Sequence, residues 1–342
     1  MTRVQNVSDE SLGWDCLSTA ITGSQLANRE FSPPEEFIPG IIPTGLVMLV
    51  GKSKIGKSWL ALHLASAAAS GSPVLGGIPV ESRPVLYLAM EDSLRRLQSR
   101  QRRMGGPCSD LLYLMCDLPN NPEDPDRKIS PLSVVESFIE KFDGRSPVVI
   151  IDTWGKVLPH YPPRRKEGAF ERDYRLMGMI QDMSRRRPDA TIIVLHHARK
   201  AAVDDFVDAV NGTTGLAAAA DAIVVLDRNR KSTEGRLSIT GRDIRGAEYS
   251  VRFDEDAGLW SLYGDSRSEA EKNARESHIR EALSDTKYRV IDLVNQHPEG
   301  IGPKQVGETL GIDNKMASEY LRDGVRKELI RKISRGFYGP VE

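Results

Sequence analysis

Residues 51–58 read Gly-Lys-Ser-Lys-Ile-Gly-Lys-Ser, set between the apolar run Leu46–Val50 and the segment Trp59–Ala65. A G-x-x-x-x-G-K-S loop works only with a buried strand entering it and a helix leaving it. In that setting its backbone N–H groups converge on an anion and the new helix adds its positive end. Both flanks have this character. The glycines at 51 and 56 allow the curl, Lys57 is placed for the β- and γ-phosphates, and the Ser58 hydroxyl is placed for Mg²⁺. The stretch Gly51, Lys52, Ser53, Lys54, Ile55, Gly56, Lys57, Ser58 and Trp59 is therefore predicted to bind a nucleoside triphosphate.

The rest of the chain supplies the sheet such a loop needs. Apolar runs at 84–90, 111–116, 148–152, 191–195 and 222–226 alternate with helical patterns at 93–104, 131–142 and 170–186. Strands apolar on both faces and alternating with helices predict an α/β fold with a mostly parallel, helix-covered sheet. Two hairpin-like runs, 236–241 and 247–262, close this part. Residues 120–128 read as a Pro/Asp/Asn loop, and residues 212–221 as a turn running into a small, alanine-rich helix.

Acids and histidines fall at the ends of these strands. Asp152 closes Val148–Ile151, the place for a carboxylate that holds Mg²⁺ through water beside Ser58, with Thr153 ordering the water shell. Glu91 and Asp92 close the strand at 84–90. Either could activate the water that attacks the γ-phosphate, Glu91 being the first choice, and either could instead cap the helix from 93. His196 and His197 follow Leu195. Adjacent residues at a strand end point to opposite sides and chelate a metal poorly, so His197 is read as a γ-phosphate sensor.

Basic residues gather in several places. Arg95, Arg96, Arg100, Arg102 and Arg103 share one helix, and Arg185–Arg187 end another, where cations suit the helix dipole. The segments 159–168, with Arg164, Arg165 and Lys166, and 199–211, with Arg199 and Lys200 at its start, could line a channel for a single-stranded nucleic acid. Arg228, Arg230, Lys231, Arg242 and Arg245 could act as a finger on a neighbouring subunit's nucleotide; Arg228 and Arg230 rank first.

After a charged segment at 264–286 the character changes. Helical runs at 290–296, 303–310 and 314–329, a Leu310-Gly311-Ile312 break and a strand–glycine–strand ending at Tyr338 predict a helix-turn-helix closed by a wing. This region carries ten Lys or Arg against eight Asp or Glu, with Lys315, Arg322, Arg326, Lys327, Arg331, Lys332 and Arg335 gathered on the third helix and the wing. Such a unit binds duplex DNA or a protein. Net charge over the whole chain is −1, so any hold on nucleic acid must come from local patches. The three cysteines show neither metal nor disulfide spacing, and no apolar run reaches membrane-spanning length. A soluble, cytoplasmic protein is expected.

The succession Gly51–Ser58, Leu86–Asp92, Ile150–Thr153, Leu195–Lys200 and Gly212–Asp221 resembles the RepA-like branch of RecA-type ATPases, found in plasmids, phages and mobile elements and related to ring-shaped replicative helicases. The likeness covers about residues 35–262. It implies a RecA-like P-loop core, a homo-hexameric ring with ATP between subunits, and single-stranded DNA in the central channel. It assigns Lys57 and Ser58 to phosphate and Mg²⁺, Glu91 to catalysis, Asp152 to Mg²⁺ and His197 to sensing. The region after 221 departs most from the family pattern. The expected organisation is an arm at 1–34, the ATPase core at 35–263, a linker at 264–286 and a winged-helix domain at 287–342. The implied function is an ATP-dependent DNA helicase. The alternatives are a recombination or repair ATPase that coats DNA, and an ATP-switched DNA-binding regulator.

Overall fold

The computed structural model describes residues 17, 19–31, 36–197, 214–229, 232–283 and 285–341. Residues 1–35 and 36–342 form separate compact units. In the first, a short helix at Gly23–Ala27 is closed by a reciprocal pair of bonds between Thr22 and Gln25.

The second unit is built on a sheet with nine strands among the described residues: β1 (Gly45–Gly51), β2 (Val85–Ala89), β3 (Leu112–Met115), β4 (Val148–Asp152), β5 (Thr191–His197), β6 (Ala222–Arg228), β7 (Glu234–Gly241), β8 (Ala247–Asp254) and β9 (Leu259–Leu262). Their spatial order is β9-β8-β7-β6-β1-β5-β4-β2-β3. From β6 to β3 every pairing is parallel, and β7 to β9 extend the β6 edge antiparallel. The mostly parallel α/β sheet expected from the sequence is present.

Side chains alternate across each strand, so one strand feeds two cores. Val47 and Leu49 of β1 enter one apolar cluster, whereas Leu46, Met48 and Val50 enter the other. Helix α1 (Lys57–Ser70) covers the first face with Leu60, Leu64 and a run of alanines that lets it sit close. Helices α3 (Pro131–Lys141) and α4 (Ala169–Arg186) cover the second. Helix α2 (Leu94–Met104) buries only Leu97 and begins at a Ser93 cap. Helix α5 (Thr214–Ala219) adds Leu216 and Ala219 to the second face. The arginines at the end of α4 are tethers as well as dipole partners. Arg186 reaches Glu136 at 2.7 Å and Arg187 reaches Asp143 at 2.9 Å, fastening α4 to α3 and the turn after it.

One local expectation needs correcting. Residues 120–128 form a small antiparallel ribbon, Asn120–Asn121 with Asp124–Lys128, and not an open loop. The hairpin-like run 247–262 is the antiparallel pair β8 and β9. The Asp254 carboxylate accepts from the N–H groups of Asp256 and Ala257, and Gly258 takes a left-handed φ of 72°, which turns the chain back on itself.

The charged segment continues as helix α6 (Arg267–Ala282), which packs along β8. Beyond it α7 (Asp285–Asn295), α8 (Pro303–Leu310), α9 (Asn314–Arg326) and the antiparallel pair β10 (Ile330–Ser334) and β11 (Phe337–Pro340) enclose a third apolar cluster of Val290, Val294, Val306, Leu321 and Ile330. The α8–α9 turn uses Gly311 in a left-handed conformation and Asp313 as the cap of α9. Asp323 on α9 accepts from Lys287 and Arg326, with Lys327 nearby, and these cations hold its carboxyl well below the usual aspartate range. Among the described residues no helix is long and apolar enough to cross a membrane.

Candidate nucleotide site

Parallel strands end on a common rim, and here β1, β2, β4 and β5 bring the loop, Glu91, Asp152 and His197 to it. Chain crossovers reverse direction around β1, so the phosphate loop leaves the sheet at its switch point. Gly51 ends β1 with no room for a side chain: a Cβ there would lie 2.4 Å from the Leu226 carbonyl oxygen. Lys54 and Gly56 take positive φ, 65° and 107°, which forms the curl, and Ile55 is buried beneath it.

Lys57 is nearly buried, and its ammonium donates to the carbonyls of Gly51 at 2.6 Å and Lys52 at 2.8 Å. His197 Nδ1 lies 3.1 Å from the same nitrogen and 3.4 Å from Ser53 Oγ. Burial pushes the Lys57 ammonium down to about 8, against the opposing pull of Asp152 and Glu91. Burial, then the Lys57 charge, also lowers His197, which keeps its ring neutral and able to accept.

Asp152 is buried at the end of β4 and accepts from the Tyr87 hydroxyl at 2.7 Å. Burial raises its carboxyl above the ordinary aspartate value, partly offset by hydrogen bonds from Tyr87 and Ser58. Ser58 and Asp152 thus face one another as hard oxygen donors. Among the described residues no group of three or more His, Cys, Asp or Glu could hold a metal. The pair nevertheless fits Mg²⁺, which takes one or two protein oxygens and completes its shell with water and phosphate. Asp152 and Ser58 would hold it.

The two acids after β2 differ in their surroundings. Glu91 is exposed and accepts only the Thr153 hydroxyl among the bonds resolved, at 3.0 Å. Asp92 is engaged by Arg100 at 2.6 Å and by Arg96 at 3.1 Å, which ties it to α2. Lys52 pairs with Asp227 at 3.1 Å across the loop mouth. Trp59 lies under the guanidinium groups of Arg100 and Arg103 and meets Phe253 edge-on.

The arginines read as finger candidates are dispersed. Arg228 is buried over the Phe253 and Trp260 rings, 4.7 and 5.6 Å from their centroids, with Glu255 at 3.5 Å. Arg242 donates to the Ala218 carbonyl at 2.9 Å, and Arg245 is exposed. Arg230, Lys231, Arg199, Lys200 and the segment 199–211 lie outside the described residues.

Two residues of this site are not visible in any local pattern. Trp260 on β9 is fully buried, donates its indole N–H to the Gly56 carbonyl at 3.1 Å, and would sit 3.0 Å from a Cβ on Gly56. The antiparallel extension therefore buttresses the phosphate loop from beneath. Tyr87 lies on β2 two residues before Ala89, the partner of Asp152. The available clue was that alternate residues of paired strands share a face.

A pH dependence follows from Lys57. Phosphate needs the ammonium form, so nucleotide affinity holds below pH about 8 and falls by up to tenfold per pH unit above it, as the free protein must first regain a proton. Titration of a fluorescent ATP analogue from about pH 6.5 to about pH 9.5 reads this directly. An affinity flat across the range contradicts the assignment.

No curated protein matches the chain. Among solved structures it is similar to a KaiC-like protein, PH0186, from the hyperthermophilic archaeon Pyrococcus horikoshii. That pair shares 15% identity with a TM-score of 0.46, covering 68% of this chain and 100% of the other. A RadB recombinase aligns with 17% identity and a TM-score of 0.43, covering 67% of this chain and 93% of the other. The family model described as AAA domain, AAA_25, matches residues 17–203. That span contains the phosphate loop, Glu91, Asp152 and His197, and with more than half its length matched the chain belongs to the AAA_25 family of AAA domains.

Proposed function

We propose that this P-loop ATPase is a RecA-like, RepA-type DNA helicase or helicase-like replication protein of a mobile element. The observation that carries the reading is the convergence of Lys57, Asp152, Glu91 and His197 on one rim, with the basic segment 159–168 following the Asp152 strand after one short helix, Trp154–Val157. Lys57 releases the loop carbonyls and takes the phosphates. Ser58 and Asp152 would hold Mg²⁺, which would supply positive charge to the phosphates. Glu91, free of the arginines that occupy Asp92, orients and deprotonates the attacking water, with Thr153 steering its carboxylate. His197, within reach of both Lys57 and Ser53, registers the γ-phosphate and passes its presence to the segment that follows β5.

The organisation proposed is an arm (1–34), an ATPase core (35–263), a linker (264–286) and a winged-helix domain (287–342). The core acts in a homo-hexamer with ATP between subunits and an arginine supplied to the neighbour, Arg230 by our reading, since its companion candidate Arg228 is buried against Phe253 and Trp260. Single-stranded DNA runs along loops 159–168 and 199–211. The winged helix takes duplex DNA or a replication protein through the exposed Lys315, Arg322, Lys332 and Arg335. The setting is the cytoplasm.

Displacement of a labelled strand from a forked duplex tests the helicase reading. Displacement with ATP and none with a non-hydrolysable analogue supports it. ATPase stimulation by single strands without displacement points to a DNA-coating recombinase, and duplex binding that persists in Lys57→Ala points to an ATP-switched regulator.

A further inference from the structure

Helix α4 buries Leu176, Met177 and Ile180 against the sheet, yet its first two turns present Phe170 and Tyr174 to solvent, 53% and 55% exposed. The two rings stand one helical turn apart and nearly parallel, with centroids at 6.3 Å and planes inclined by 10°. Neither contributes to the apolar clusters. Large aromatic faces left in water cost solvation, so their pairing with a ligand of flat, apolar faces is favourable.

The surroundings indicate which ligand. Arg164, Arg165 and Lys166 are exposed in the segment that leads into α4. The acids nearby are committed to the protein itself. Glu167 is clasped by Arg175 at 2.7 and 3.0 Å, which pulls its carboxyl down to about 2, and Glu171 turns back to the Gly168 N–H. The segment thus offers cations and two stackable rings, the pairing that holds a polyanionic backbone and its bases without reading sequence. The same turn is tied to the nucleotide site. Asp173 accepts from the indole N–H of buried Trp154 at 3.3 Å, and Trp154 is two residues beyond Asp152.

We propose that Phe170 and Tyr174 form a base-stacking platform for single-stranded DNA, with Arg164, Arg165 and Lys166 gripping the backbone beside it. The inference rests on the single-strand reading above and adds a site to it. The Asp173–Trp154 bond lets strand occupancy bear on the Asp152 end of β4.

Fluorescence anisotropy with oligo-dT and with an abasic strand of equal length tests this, on full-length variants whose thermal melts match wild type. Phe170→Ala/Tyr174→Ala weakens oligo-dT binding by about tenfold or more, since stacking on an aromatic contributes that much per base. It leaves abasic-strand binding unchanged, and Phe170→Tyr/Tyr174→Phe binds oligo-dT as wild type does. Phe170→Leu/Tyr174→Leu, apolar but without a π face, stays weak. The platform is overturned if the alanine variant binds oligo-dT normally or loses both strands equally. It is also overturned if the leucine variant recovers binding, or if light scattering shows the alanine variant in a smaller oligomer; either result assigns the patch to a protein contact. A wild-type protein that binds neither strand overturns the single-strand reading itself, a result distinct from all of these.

Discussion

Lys57→Ala lowers ATP turnover by about 10²- to 10³-fold, the usual cost of removing one preorganised charge from a phosphoryl-transfer site. The basis is geometric. The ammonium is held among the Gly51 and Lys52 carbonyls and His197, inside the curl where phosphate belongs, so no other side chain can take its place. Lys52, in the same loop, is exposed and paired with Asp227 instead. Stability moves the opposite way. A lysine pushed down to about 8 by burial binds fewer protons when folded than when unfolded between that value and 10.5. Its charge therefore opposes folding below pH about 8, and the penalty fades as pH rises toward 10.5. Lys57→Met accordingly melts above wild type at pH 7 without nucleotide, and the gain closes in alkali. Turnover from phosphate release and melts at about pH 7 and about pH 10 check both parts. An inactive variant that is also destabilised at neutral pH indicates damage to the loop and not loss of a charge.

The second large effect separates two neighbouring carboxylates. Glu91→Gln lowers kcat by about 10²- to 10⁴-fold, the range for a lost general base, while nucleotide affinity stays within a few-fold of wild type. Gln still accepts the Thr153 hydroxyl, so the change removes basicity and little else. Asp92→Asn has the reverse signature. It takes the anion away from Arg100 and Arg96 and destabilises the start of α2 by about 1–3 kcal/mol, with turnover per folded molecule largely kept. Single-turnover hydrolysis and denaturant melts on both variants distinguish them. Exchange of the two outcomes would move the base to Asp92.

Much of the site was legible because its chemistry is local. The phosphate loop is one contiguous stretch, and strand-end acids announce themselves by closing apolar runs such as Val148–Ile151. Strand number and direction in the parallel half followed from the same alternation. Partnership across sequence was less visible. Nothing near Glu91 or Asp92 says which one two arginines on the next helix will occupy. Trp260 meets Gly56 across some two hundred residues, through an antiparallel extension whose placement beneath the loop depends on sheet order. The hairpin character of 247–262 was legible, but not the place of its turn, because a side-chain cap by Asp254, and not a proline or paired glycines, makes it. Phe170 and Tyr174 sit at spacing that suits a buried helical stripe as well as an exposed one; only the fold tells them apart.

The most direct test of a motor on single-stranded DNA is the steady-state ATPase rate as oligo-dT is added. The proposed site predicts a saturable rise in rate for wild type and none for Glu91→Gln. A wild-type rate indifferent to every single-stranded DNA, at concentrations where nucleotide is bound, would contradict it.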